Sequence, residues 1–460
     1  MRFPFLDRAE ELRRLGRAVA SETGSLVVLY GRRRCGKSRL LQEALSSSHF
    51  AYYVADDREG PLQRASRARE IARVVPGFDR VVYPDWDALF GRWWSEARPG
   101  TILAVDEFPS LVARDAAIPT VLQRHLDRRD LSGPHLVLAG SSQRMMQGLV
   151  LDRPAPLYGR ATEVLRVAPL PCGWIGKALR LAGPREALEA FATWGGVPGT
   201  WELVADCGGL EDAVESLVLS PLGVLHDEPG RLLLDDLRET AQAATILALI
   251  GQGCHRLSEI AGRMGKPATS LSRPLQRLIE LELVRRDVPF GSSGRDTKRS
   301  LYRIADPFLR FWYRFVEPNR SRLEAGQVAA VAREIAKTFA AHVSGVWEEL
   351  VRASVPRKRY FGIEWNLAAP WWGTGLDRTP MEVDLLAEST DGRSLLFGEA
   401  KWGVAAERGP MAAELRRKAA NFPFPAGRRV FLGVWTPEGG GSVGPGVRGF
   451  DAEQVVRALR

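Results

Sequence analysis

Cysteine is scarce: Cys35, Cys172, Cys207 and Cys254 are scattered through 460 residues with no CxxC pair, and the chain holds only six histidines. That excludes a disulfide framework and a clustered zinc site, and it fits a reducing compartment. Long apolar runs are missing as well. Stretches such as Ala243 to Ile250 fall far short of the about 20 residues that cross a bilayer. The opening MRFPFLDRAEE carries acids where a secretory leader needs an unbroken apolar stretch. A cytoplasmic protein without membrane contact is expected. There is no internal repeat and no low-complexity tail, only a Gly-rich loop from Glu438 to Gly449.

With 45% hydrophobic and 26% charged residues, the composition is that of a soluble globular chain. At about 150 residues per domain, the length suggests about three domains. The net charge of +9 and a pI near 9.6 are compatible with a polyanionic partner, although arginine is scattered almost everywhere.

From Ser25 to Ser142, short apolar runs alternate with longer helical stretches, the pattern of a parallel α/β sheet buried on both faces. LVVLY (Leu26 to Tyr30), TILAVDE (Thr101 to Glu107) and HLVLAGSS (His135 to Ser142) read as strands. After the first comes GRRRCGKS, which has the spacing GxxxxGK[ST]. There the glycines let backbone N–H groups wrap phosphates, Lys37 neutralises them, Ser38 can hold Mg²⁺, and the following helix adds its positive dipole end. The expected nucleotide contacts are Gly31, Arg32, Arg33, Arg34, Cys35, Gly36, Lys37, Ser38 and Arg39. Asp106 would hold Mg²⁺ and Glu107 would polarise the attacking water. Ser141 or Ser142 is placed to sense the γ-phosphate or position water, with a plain strand-end turn as the alternative, and Arg160 is a candidate cation for developing phosphate charge or else a surface arginine in a salt bridge. ATP and Mg²⁺ are the implied cofactors.

The segment Phe5 to Leu12, then GRRRCGKS, VDEF, AGSS, PLYGR and GGVP in this order resemble the archaeal-type ATPases of the STAND class, a branch related to AAA+ proteins. The resemblance covers about residues 1 to 305. It implies a regulated ATP switch, with Arg8 in a segment near the adenine and Pro198 in a lid motif that contacts nucleotide. A homo-oligomer stays open as an assembly.

Between about Ala168 and Asp236 the β-type runs give way to helical ones, as in a helical lid. Residues 240 to 304 then read helix, helix, tight turn, helix and polar hairpin, the order of a winged helix. This segment holds eleven Lys or Arg against five acids. Arg273, Arg277, Arg295, Lys298 and Arg299 are placed to meet DNA phosphates, while packing inside the protein is the alternative use. If the third helix starts well before Ser272, Pro274 would break a turn and shorten it.

Met381 to Lys401 reads MEVDLLAESTDGRSLLFGEAK, with Asp391-Gly392 as a hairpin turn. In that register Asp384 faces Glu399 and Glu382 faces Lys401, all on one side of the hairpin. Opposed carboxylates about 4.5 to 5.5 Å apart repel unless something offsets them. A divalent metal on Asp384 and Glu399 would do so, with Lys401 helping to deprotonate a water. A solvated face carrying a Glu382–Lys401 ion pair is the plainer reading. The arrangement D(x14)ExK resembles the PD-(D/E)xK restriction-endonuclease-like nucleases, with Glu348 matching the acid of their first helix and Trp371-Trp372-Gly373 also fitting.

The expected fold class is α/β. It comprises a P-loop NTPase core (1–167), a helical lid (168–236), a winged helix (237–318) and a C-terminal α/β restriction-endonuclease-like domain (319–460). The expected function is an ATP-hydrolysing switch acting on DNA through the winged helix and a Mg²⁺-dependent nuclease-like domain. A regulator of DNA or partner binding with a silent C-terminal domain is the alternative.

Overall fold

The computed structural model describes residues 3–46, 48–56, 58–128, 133–237, 239–292, 299–403, 408–423 and 427–460. The chain forms two compact units. Residues 7–169 and 234–237 make the N-terminal unit, and residues 1–6, 170–233 and 238–460 make the C-terminal unit. Among the described residues no helix is long and apolar enough to cross a membrane.

The N-terminal unit is built on β1 (Leu26–Tyr30), β2 (Phe50–Val54), β3 (Ile102–Asp106), β4 (His135–Gly140) and β5 (Glu163–Arg166). They form one sheet in the order β2-β3-β4-β1-β5, with every pairing parallel. β3 and β4 are buried along their whole length, which is why they read as continuous apolar runs. Helices such as Trp86–Glu96 and Ile118–Arg128 carry Trp86, Leu89, Phe90, Trp93, Ile118 and Leu122 into the core. β4 separates the phosphate-loop strand β1 from the Asp106 strand β3. The loops after β1, β3 and β4 therefore meet at the carboxyl edge of the sheet, where ligands bind in open α/β folds.

The C-terminal unit opens with helices, among them Pro184–Trp194, Pro198–Ala205 and Leu210–Ala213. Three more follow, Thr240–Gly251, Leu257–Met264 and Ala268–Glu280, and then an antiparallel pair, β6 (Val284–Asp287) and β7 (Leu301–Ile304). Contrary to the expected shortening, Ala268–Glu280 runs through Pro274. Its apolar stripe of Leu271, Leu275 and Leu278 stays buried across the proline, and that packing offsets the lost backbone hydrogen bond.

A 27-residue helix, Val328–Ser354, then leads into a mixed six-stranded sheet. Its strands are β8 (Ala369–Thr374), β9 (Pro380–Glu388), β10 (Ser394–Ala400), β11 (Arg429–Trp435), β12 (Gly441–Gly444) and β13 (Val447–Phe450), ordered β12-β13-β11-β10-β9-β8. Val343, Val346, Trp347 and Val351 of the long helix pack with Leu385, Ala387, Leu396 and Trp435 of the sheet. Arg408–Asn421 covers the other face through Ala412 and Leu415.

Candidate functional site

β1 hands over to the phosphate loop at Gly31, where an added Cβ would lie 2.2 Å from the Val167 carbonyl oxygen, so only glycine fits. Gly36 turns the chain into the helix Lys37–Leu45 at φ 90°. Lys37 is buried and its Nζ donates to the carbonyls of Gly31 (2.9 Å) and Arg32 (3.2 Å). Burial pushes its pKa down, against the pull of Glu107, Cys35, Asp106 and Asp235. Within the loop Arg32 and Cys35 are buried, Arg33 is exposed, and Arg34 and Arg39 are half-buried. The loop is braced from outside by Arg8, which lies in the left-handed region at φ 72°. Its buried guanidinium donates to the carbonyls of Cys35 (3.3 Å) and Ala168 (2.5 Å) and pairs with Glu11.

The structure brings Ser38, Asp106, Glu107 and Ser141 together. Ser38 Oγ donates to Asp106 Oδ2 at 2.5 Å, and the Glu107 backbone N–H holds the other oxygen, Oδ1, at 2.9 Å. Glu107 itself sits at φ 51°, a costly conformation for a non-glycine residue. That turn places Glu107 Oε2 2.9 Å from Ser141 Oγ and within 3.4 Å of the Ser141 amide nitrogen, so Ser141 donates to it. Ser142 instead caps the helix Gln143–Val150 and donates to Asp236 Oδ1 at 3.0 Å, tying residues 234–237 to this edge.

Sequence reasoning missed Tyr52. Its hydroxyl donates to Asp106 Oδ2 at 2.6 Å, and burial together with Asp106 pushes its pKa well above the ordinary value. The strand β2 that carries it has no motif, so only its position beside β3 reveals the contact.

Arg160 lies apart from this cluster. It enters β5 from the amino edge of the sheet, where Thr162 N–H donates to the Leu26 carbonyl, whereas the phosphate loop leaves β1 at the carboxyl edge. Its guanidinium grips Asp127 with two bonds of 2.7 and 2.9 Å. Pro198 opens the helix Pro198–Ala205 of the C-terminal unit.

A second cluster lies on the β9–β10 hairpin. The pairs Leu385↔Gly398 and Leu386↔Phe397 carry a register in which Asp384 falls opposite Glu399. Lys401 Nζ bridges both, at 3.1 Å from Asp384 Oδ2 and 2.7 Å from Glu399 Oε2. Lys418, on the helix Arg408–Asn421, holds Glu399 Oε1 at 2.7 Å. Asp384 Oδ2 also accepts the Ala400 N–H at 3.0 Å. The expected Glu382–Lys401 pairing does not form: the β9–β10 ladder ends at Leu385↔Gly398, β10 itself ends at Ala400, and Lys401 turns to Asp384 and Glu399 instead.

Glu348 projects from the long helix toward this cluster, and burial plus the charge of Asp384 push its pKa up to about 7. Glu399 is shifted up for the same two reasons. For Lys401, burial would lower the pKa, but Asp384 and Glu399 outweigh it and hold the ammonium charged. Among the described residues no three His, Cys, Asp or Glu side chains gather into a metal-holding group.

Of the basic side chains expected to meet DNA, Arg273 is exposed, and Arg277 lies 3.6 Å from Glu280. Arg299 donates to the Trp372 carbonyl. Arg295 and Lys298 lie outside the described residues. β6 and the residues just after it pack inward, since Phe290 N–H donates to the Pro370 carbonyl at 2.8 Å and Arg285 pairs with half-buried Glu349.

Residues 5–174 match the family described as an ATPase domain predominantly from Archaea, and residues 312–411 match one described as archaeal and bacterial proteins of unknown function. An uncharacterized protein of Methanocaldococcus jannaschii is 28% identical over 402 residues, covering 86% of this chain and 87% of that protein. The Walker-type ATPase of Pyrococcus abyssi shares the fold at TM-score 0.52 and 20% identity, over 67% of this chain and 96% of that one. The Aeropyrum pernix ORC2 protein, solved as ADPNP and ADP complexes, is a looser likeness at TM-score 0.45 and 14% identity, over 71% of this chain and 96% of that one. The family match over residues 5–174, the shared fold and the converging phosphate-loop, Asp106 and Glu107 geometry together support an archaeal-type P-loop ATPase domain in the N-terminal part of this chain.

Proposed function

We propose that this protein is an ATP-hydrolysing switch whose output is exerted on DNA by its C-terminal unit. The observation that carries the ATPase half is the chain of contacts from Ser38 through Asp106 and Glu107 to Ser141. Ser38 Oγ and Asp106 Oδ2 are hard oxygen donors side by side, which suits Mg²⁺, an ion that takes few protein ligands and completes its shell with phosphate and water. Bound there, Mg²⁺ would neutralise charge on the β- and γ-phosphate oxygens. Lys37 binds the phosphates, loop N–H groups orient them, and Glu107, held by Ser141, polarises the attacking water. The protein would work in the cytoplasm.

For the output, residues 237–318 are read as a winged helix and residues 319–460 as a PD-(D/E)xK nuclease-like domain. Support comes from the opposition of Asp384 to Glu399, with Lys401 on both and Glu348 nearby. Two oxygen ligands of this kind suit Mg²⁺, and Lys401 is within reach to orient a water. A specific observation favours the alternative, a catalytically silent binding module: Lys401 and Lys418 already compensate the carboxylates.

Cleavage of single- and double-stranded DNA with Mg²⁺ or Mn²⁺, in wild type, Asp384→Asn and Glu399→Gln, separates the readings. The nuclease reading expects cleavage that falls at least about 10²-fold in either variant. Cleavage unchanged by both substitutions, or none in wild type, rejects it in favour of the silent module.

A further inference from the structure

A cavity of about 520 Å³ opens within the C-terminal unit, far along the chain from the phosphate loop. Its walls come from the turn after Thr240–Gly251, from β7 and the segment following it, and from the middle of the long helix. Arg303, Arg310, Arg314, His255 and His342 line it, and among the described residues no aspartate or glutamate does.

The three arginines differ in their commitments. Arg310 pairs with Glu349 at 2.7 Å, and Arg303 lies 3.3 Å from Asp287. Arg314 makes no ion pair among the described residues, and its guanidinium lies 5.2 Å from the Phe315 ring centre. Burial and the neighbouring Arg310 disfavour its charge, so the site carries an uncompensated cation. His342 is buried, and its Nε2 lies 2.9 Å from the Ala192 carbonyl, to which it donates. In the neutral ring that leaves Nδ1 as an acceptor, and this buried atom has no partner.

We propose that this cavity binds a phosphorylated small molecule bearing at least one hydroxyl or N–H donor. The anionic group sits among Arg303, Arg310 and Arg314, and the donor satisfies His342 Nδ1. Guanidinium groups match phosphate oxygens in charge and fork geometry. The volume lies within the about 300–1,000 Å³ of small-molecule sites, too large for a bare inorganic ion to fill.

The test is calorimetric titration of the full chain carrying Lys37→Ala, which removes binding at the phosphate loop. The probes are adenosine monophosphate, ribose 5-phosphate, inorganic phosphate and a short DNA duplex. Arg314→Gln removes the unpaired cation. Gly345→Leu fills the cavity without changing charge, since a Cβ at Gly345 stands 3.9 Å from Arg310 Nη1. The proposal expects at least one organic phosphate to bind more tightly than inorganic phosphate, and both substitutions to weaken it tenfold or more. If either variant fails to fold, the other decides. Binding unchanged by the substitutions, binding of inorganic phosphate alone, binding of the duplex alone, or no binding at all overturns it.

Discussion

Asp106 shows how a single residue gathers a site. One of its oxygens takes hydroxyl donors from Ser38 and Tyr52, and the other takes the N–H of Glu107. Ser38, Asp106, Glu107 and Ser141 were legible in the sequence because each closes an apolar strand or follows a glycine loop, and strand ends in a parallel sheet converge. Tyr52 was not legible: its run FAYYV is apolar throughout and carries no motif, and which of its side chains turn inward shows only in the structure. Arg160 kept two uses open in the sequence for a related reason: proximity in a motif order says nothing about which edge of the sheet a residue enters from. At protein concentrations where the chain is monomeric, Arg160→Ala should turn over ATP within about a factor of two of wild type, as expected for a partly exposed ion pair. A deficit that appears only as protein concentration rises would mean that a second copy supplies this cation.

At the scale of elements, the β9–β10 hairpin was readable, since the alternation and the Asp391-Gly392 turn together fix its register. Lys418 was not, because it arrives from a helix whose place over the sheet no local pattern encodes. The helix Ala268–Glu280 corrects the opposite error, an overweighted proline where tertiary burial prevails. The long helix carries a pH consequence. His342 packs against Phe311, Phe315 and Phe339, and burial holds its pKa at about 3 against an ordinary value of 6.5. Its folded pKa is depressed, so below the ordinary value the unfolded chain takes up a proton that the folded one refuses. The stabilisation is thus complete above pH 6.5 and declines as pH falls toward 3. The melting temperature of wild type should drop between about pH 7 and about pH 5, and His342→Gln should drop less steeply. Parallel slopes in a thermal-shift series would contradict this.

At the scale of the molecule, the sequence suggested four segments, and the structure groups the chain into two compact units. Composition shifts mark where helices replace strands, but they carry no information on which segments share a core. Calorimetry should resolve two transitions. A non-hydrolysable ATP analogue at about a hundred times its dissociation constant adds about 2.7 kcal/mol to the unit that binds it and should raise one transition alone. Lys37→Ala should abolish that shift, whereas a shift of both transitions together would mean that the units melt as one.

The phosphate loop, Asp106 and Glu107 make up the proposed hydrolytic ATP site. It is tested most directly by measuring ATP binding and phosphate release side by side in wild type, Lys37→Ala and Glu107→Gln. Lys37→Ala should lose binding, and Glu107→Gln should bind as wild type does while releasing phosphate about 10²- to 10⁴-fold more slowly. Wild-type release from Glu107→Gln, or hydrolysis persisting in Lys37→Ala, would contradict it.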